Sequence, residues 1–243
     1  ALSFTFPVVF IINSIALGLG LGASAVISQA IGEGDFYRVR RLTTDSLLLA
    51  LSIVIIFAIF GLLTIEKLFL MLGAEGQILD YVKQYMVIWY IGMPFVVVPM
   101  VGNNAIRATG DTKTPSLVMM TVAGMNIILD PLLIFGIGFF PEMGIQGAAL
   151  ATVFSRFTAF SVALWILIKR EKMVTSHFES LQKILNSWRI VLFIGIPIMA
   201  SRIMIPLTTG IITKLLAGFG PKPVAGYGVA SRLEFFALAI IFA

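Results

Sequence analysis

The stretch MNIILDPLLIFG, residues 125–136, sets Asp130 inside an apolar run, with Pro131 directly after it and Asn126 four positions before. Positions four apart on a helix project from one face, so a carboxylate and a carboxamide share a side. Pro131 has no backbone N–H to donate and tends to bend a helix, which frees a nearby carbonyl. Carboxylate, carboxamide and freed carbonyl are hard oxygen ligands of the kind that hold Na⁺. A carboxyl shielded from water serves a proton equally well. In mid-bilayer an unpaired carboxylate costs about 2.5–3.5 kcal/mol on insertion scales, so it must face a bundle interior or a watery cavity. The bland reading is a structural Asp satisfied by a neighbouring Thr, Asn or Arg. The insertion cost favours an ion-coupling role over it.

Other polar groups sit at comparable depth. Thr152 and Arg156 form a second i, i+4 pair, and Arg156 is either a counter-charge to Asp130 or a side chain that snorkels to the interface. Tyr81, Tyr85 and Trp89 fall at i, i+4, i+8; Tyr81 fits an interfacial belt, whereas Tyr85 and Trp89 are placed to reach the interior. Ser24, Ser28 and Gln29 offer polar atoms to a cavity. Arg202, Lys214, Arg232 and Glu234 also lie in or near apolar runs, and Arg232 and Glu234 are too close in sequence to face each other on a helix. The chain has no cysteine and one histidine, His177, beside Ser176 in a polar connector. Thiolate metal sites, disulfides and cysteine nucleophiles are therefore excluded, and no nucleophile–base pair or metal cluster is in view.

The elements that position these groups follow from composition. Of 243 residues, 59% are hydrophobic and 12% charged, about half the roughly 25% charge of a soluble domain. The mean hydropathy is +1.03. This is an all-α integral membrane protein, a polytopic helix bundle. A bilayer core needs about 20 apolar residues per helix, and seven runs meet or approach that: 7–31, 46–71, 84–106, 115–139, 145–168, 190–217 and 224–243. They are apolar all round, unlike the shorter alternating strands of a barrel. The close glycines of GLGLGASAVISQAIGEGD, 18–35, belong to one membrane helix, so they read as helix-packing positions rather than a dinucleotide fingerprint, with Gly32 and Gly34 marking the helix end.

Lys and Arg set the orientation. Arg38, Arg40, Arg41, Arg107, Lys113, Lys169, Arg170, Lys172, Lys183 and Arg189 fall on one set of connectors; Lys222 falls on the other, with Lys67 and Lys83 at nearby helix ends. The positive-inside rule makes 32–45, 107–114 and 169–189 cytoplasmic. The net charge of +5 thus reflects topology, and no nucleic acid partner is implied. The longest connector carries Phe178, Leu181, Ile184, Leu185 and Trp188 at helical spacing, which reads as an interfacial amphipathic helix. The chain opens inside an apolar run and stops without a helix-ending signal, as a piece of a longer membrane protein would.

Taken together, several stretches resemble the multidrug and toxic compound extrusion (MATE) transporters. GLGLGASAVISQAIGEGD with the Arg-rich loop after it resembles their second helix. NNAIRATGDTKTPSLVMMTVAGMNIILDPLLIFG and GIQGAALATVFSR resemble the fourth to sixth, and FIGIPIMASRIM with FGPKPVAGYGVASRLEFF the seventh and eighth. The resemblance implies an incomplete two-lobe (6+6) transporter fold: 1–168 as a first lobe lacking its first helix, 169–189 as a cytoplasmic inter-lobe linker, and 190–243 as the start of the second lobe. It implies a monomeric antiporter of the inner or plasma membrane, in contact with lipid, that exports drugs or organic cations against inward Na⁺ or H⁺ and needs no other cofactor. In one branch the cation site matches Asn126 and Asp130, with Thr152 and Tyr85 as further ligands and Pro131 as the point of bending. Gln29 and Arg156 would be polar cavity residues. That branch also uses a first-helix Asp, which this chain lacks, and the stretch that resembles the seventh helix has no acid. The alternative implied is a lipid-linked oligosaccharide flippase of the same superfamily, whose more basic cavity would suit Arg156 and Arg202.

Overall fold

A computed structural model describes residues 2–138, 140–175 and 180–241. The described elements are α1 (Leu2–Gly32), α2 (Phe36–Met71), α3 (Gln77–Gly92), α4 (Pro94–Ala108), α5 (Lys113–Phe135), α6 (Gly144–Trp165) with a wider turn over Ile166–Arg170, α7 (Leu181–Ala217) and α8 (Pro221–Ile241). The protein is a polytopic bundle of membrane helices. α1, α2, α5, α6 with its wide turn, and α7 are each long and apolar enough to cross a bilayer, and α3 with α4, taken together as one bent span, is long and apolar enough for a sixth. α8 covers the seventh run but is not one of those five.

The bend is the first departure from the sequence reading, which took 84–106 as one span. The helix breaks at Met93 and the two halves diverge by 44°. Pro94 supplies no N–H, so the Tyr90 carbonyl loses its usual donor four residues on. It accepts instead from Met93 N–H at 3.2 Å, in a tighter turn, and Met93 then opens α4 by accepting from Val96 and Val97. The signal, Gly92-Met93-Pro94, was in the sequence.

The second departure concerns the long connector. Its helical part is not separate: Leu181 to Arg189 forms the first turns of α7, begun where the Ser180 carbonyl accepts from Lys183 and Ile184. His177 and Phe178 lie outside the described residues. Trp188 in these first turns donates its indole N–H to the Asp45 carbonyl at 2.8 Å, and the backbone N–H of Thr175 donates to the Thr44 hydroxyl at 3.0 Å. Both bonds tie the connector to α2. α2 itself starts ten residues before its apolar run, because Asp35 caps it by accepting the Arg38 N–H at 2.9 Å.

α1 is the hub. Leu19, Val26 and Ile27 are fully buried and belong to one continuous core with Leu42 and Val54 of α2, Met86 of α3 and Ile106 of α4. Its most extensive contact is with α7. The two run antiparallel and stay in register: Gly22 against Val191 and Gly195, Gly18 against Gly195 and Met199, Ser14 beside Arg202, and Pro7 beside Gly210. A Cβ added to Gly22 would stand 2.5 Å from the Val191 carbonyl oxygen. Small residues let backbones come this close in a membrane, where packing rather than water drives association. Gly18, Gly20 and Gly22 are packing positions, whereas Gly32 and Gly34, at the helix end, meet open space.

Candidate functional site

α5 carries the site and is fixed at both ends. At its start Asp111 accepts the Thr114 backbone N–H at 2.9 Å and its hydroxyl at 2.5 Å, while Arg170 from the end of α6 donates to the Asp111 carboxylate at 2.9 Å. The Thr114 bonds first, and then Arg170, hold the Asp111 carboxyl below the usual carboxylate range. At its end Gly136 adopts φ +65°, a left-handed conformation that stops the helix and strains any residue with a Cβ. The chain returns so that Met143 N–H donates to the Leu133 carbonyl at 3.1 Å, and Gly147 of α6 sits directly over that carbonyl.

Between these anchors lies Asp130, half-buried. Asn126 Nδ2 donates to Asp130 Oδ1 at 3.4 Å, at the limit of hydrogen-bond reach. The helix runs unbroken through Pro131, whose missing N–H leaves the Ile127 carbonyl without its helical donor. One turn thus offers carboxylate, carboxamide and carbonyl oxygens. That set can hold a small hard cation or pass a proton.

The remaining candidates are dispersed. The Thr152 hydroxyl donates to Ala148 O of its own helix at 3.0 Å. Tyr85 is half-buried and packs against the core. Gln29 is exposed near the end of α1, where its Nε2 donates to Glu33 Oε1 at 3.1 Å. Arg156 is half-buried in a small cavity between α4, α5 and α6, walled by Pro99, Met100, Asn103 and Met119. It makes no ion pair with Asp130 among the described residues. Of these candidates, Asn126 and Asp130 are joined by a hydrogen bond.

Two features went unnoticed in the sequence. Asn103 is buried, and its Oδ1 has no hydrogen-bond partner among the described residues; the Ser155 hydroxyl, next to Arg156, is in the same position. The Asn103–Asn104 pair inside an apolar run was the available signal. Asn13 and Ser14, equally out of place in α1, line a groove of about 330 Å³ with Arg202 of α7 and Met100 of α4.

The family model MatE matches residues 1–132. The chain is 39% identical to the FAD transporter of Shewanella oneidensis over 243 residues, which is 100% of this chain and 54% of that protein. It is 27% identical to the multidrug export protein MepA of Staphylococcus aureus, over 99% of this chain and 52% of that one. Among solved structures, the inward-facing conformation of a multidrug resistance MATE family transporter of the MOP superfamily superposes with a TM-score of 0.86 at 29% identity, covering 98% of this chain and 53% of that one. The chain spans about half the length of the curated relatives it matches. With an all-helical membrane bundle on one side and these matches on the other, the chain belongs to the MatE family.

Proposed function

We propose that this chain forms part of a secondary active transporter of the cell membrane, one that exchanges an entering Na⁺ or H⁺ for an outgoing small molecule by alternating access. Residues 1–168 serve as one lobe, 169–189 as a linker on the cytoplasmic side with the other basic loops, and 190–243 as the start of a second lobe, with binding near the midplane. Asp130 is the coupling group, Asn126 its partner, and Thr152 and Tyr85 supply further oxygens. Pro131 gives α5 a place to yield when the ion arrives. The observation that supports this most is a half-buried carboxylate in a membrane helix, beside a proline, whose hydrogen-bond donor among the described residues is a carboxamide at 3.4 Å.

The test is Asp130→Asn in the natural full-length chain. The variant is expected to insert normally and to lose uphill, ion-driven efflux to the background level. Efflux against a gradient at the wild-type rate would overturn the coupling role. Imposing a Na⁺ gradient and a pH gradient in turn identifies the ion.

For the substrate, the multidrug relatives favour drugs or organic cations. A second reading is a phosphorylated aromatic such as the FAD named for the Shewanella relative. It is favoured by guanidinium groups at membrane depth that have no acidic partner among the described residues, Arg202 and Arg156.

A further inference from the structure

The groove between α1, α4 and α7 has one cationic wall. Phe10, Asn13, Ser14 and Leu17 come from one face of α1, at i, i+3, i+4 and i+7, and Arg202 with Pro206 comes from α7. Proline at 206 cannot donate to the carbonyl four residues back, so the Arg202 carbonyl is orphaned within its own helix. The Ser14 hydroxyl lies 3.3 Å from that carbonyl and 2.8 Å from Phe10 O, and its single hydrogen serves either. Arg202 therefore has its backbone tied to α1 while its side chain opens to the groove, exposed and without an acid partner among the described residues. Asn13 spends one amide hydrogen on Val9 O at 2.9 Å and keeps another donor and an acceptor. On the far side of Met100, Arg156 points into the smaller cavity beside Asn103. No carboxylate lines either space.

Next to the groove, sharing Phe10 as a wall, is a cavity of about 350 Å³ with different chemistry. Phe6, Phe10 and Tyr227 give it aromatic surface, and Thr209, Thr213 and Ser231 give it hydroxyls. The ring centroids of Phe6 and Phe10 are 6.0 Å apart. Both spaces fall in the range of small-molecule sites.

We infer that the paired spaces bind one ligand carrying a planar aromatic ring and a phosphate, the ring in the Phe6–Phe10–Tyr227 cavity and the phosphate on Arg202 with Asn13. A guanidinium is the residue suited to phosphate, since its planar fork donates two parallel hydrogen bonds to it. The same group repels an organic cation. The inference rests on the second substrate reading above and gives it an address.

The experiment measures binding of riboflavin and its 5′-phosphate, FMN, to the full-length protein in phosphatidylcholine nanodiscs by flavin fluorescence. The two probes differ by one phosphate. FMN is expected to bind at least tenfold more tightly, and Arg202→Gln is expected to bring the affinity ratio to about one. Arg202→Lys retains part of it, and Asn13→Ala lowers it at least threefold. Equal binding of both flavins to the wild type, or a ratio that survives in Arg202→Gln, overturns the inference. Phosphatidylglycerol nanodiscs separate a soluble phosphate from a lipid headgroup: FMN displaced there, with Arg202-dependent retention of the anionic lipid, assigns the site to lipid and overturns the soluble ligand. Ion-driven efflux of ethidium without any preference for FMN removes the phosphate site and leaves transport standing. The FMN preference without ion-driven efflux removes transport and leaves the site.

Discussion

α1 and α5 are both apolar enough to cross a membrane, yet they are built to opposite ends. Along α1, Gly18 and Gly22 let α7 close to backbone contact, and the register holds from Gly22 to Pro7. On α5 only Pro115, Val118, Val122 and Leu133 are buried, and Met120, Ile127 and Ile128 are largely exposed. It leans on α6 and is pinned at its ends. The helix with the sharpest chemistry, Asp130 and Asn126, is far less enclosed than α1. Rigidity and the proposed ion chemistry are thus separated: a carboxylate proposed to gain and lose an ion would need room that a glycine seam would remove.

The same substitution on the two helices should give opposite signs. Gly22→Ala drives a Cβ into the Val191 carbonyl, where only backbone can give way, and is expected to lower stability by about 1–3 kcal/mol, read as thermal melting in detergent. Gly124, two residues before Asn126, has open space where its Cβ would lie. Gly124→Ala is expected to raise stability by up to about 1 kcal/mol, since glycine is the poorer helix residue. If Gly124→Ala destabilises as much as Gly22→Ala, the face of α5 is packed in the full-length protein and the contrast collapses.

The smallest effect is at the α5 start. Because the folded Asp111 carboxyl sits below its usual range, its stabilising contribution is complete above the unfolded value of about 3.9 and is lost as pH falls through the lower folded value. Asp111→Asn, which keeps an oxygen for the Thr114 N–H but loses the charge facing Arg170, should melt slightly below wild type at pH 7. The gap should close as pH falls through that lower folded value. A gap that stays constant with pH would mean the charge does nothing there.

What the sequence disclosed was periodic or local. Runs of twenty apolar residues fixed where helices lie, and four-residue spacing put Asn126 and Asp130 on one face. Hidden features depend on which helices meet. Thr152 and Arg156 share a face of α6, but whether that face meets Asp130 is decided by the α5–α6 packing, which seats Gly147 on Leu133. The sequence put Gln29 in an apolar run; the fold places it near the helix end, beside Glu33. Ser14 looked unremarkable because its partner, the Arg202 carbonyl, is 188 residues away.

The wide turn ending α6 is a matter of counting. Glu171 N–H reaches back five residues to Ile166 O, at 2.9 Å, rather than four. Such a turn holds one residue more than an α-helix would, and one residue is about 100° of rotation. Arg170 owes its heading toward Asp111 to that surplus. Deleting Ile168, which is exposed, would leave the buried Ile166 and Leu167 in place while swinging the guanidinium about a quarter of a turn away. At this corner, chain length rather than side-chain identity sets which charge meets which, so gaps would do here what substitutions cannot.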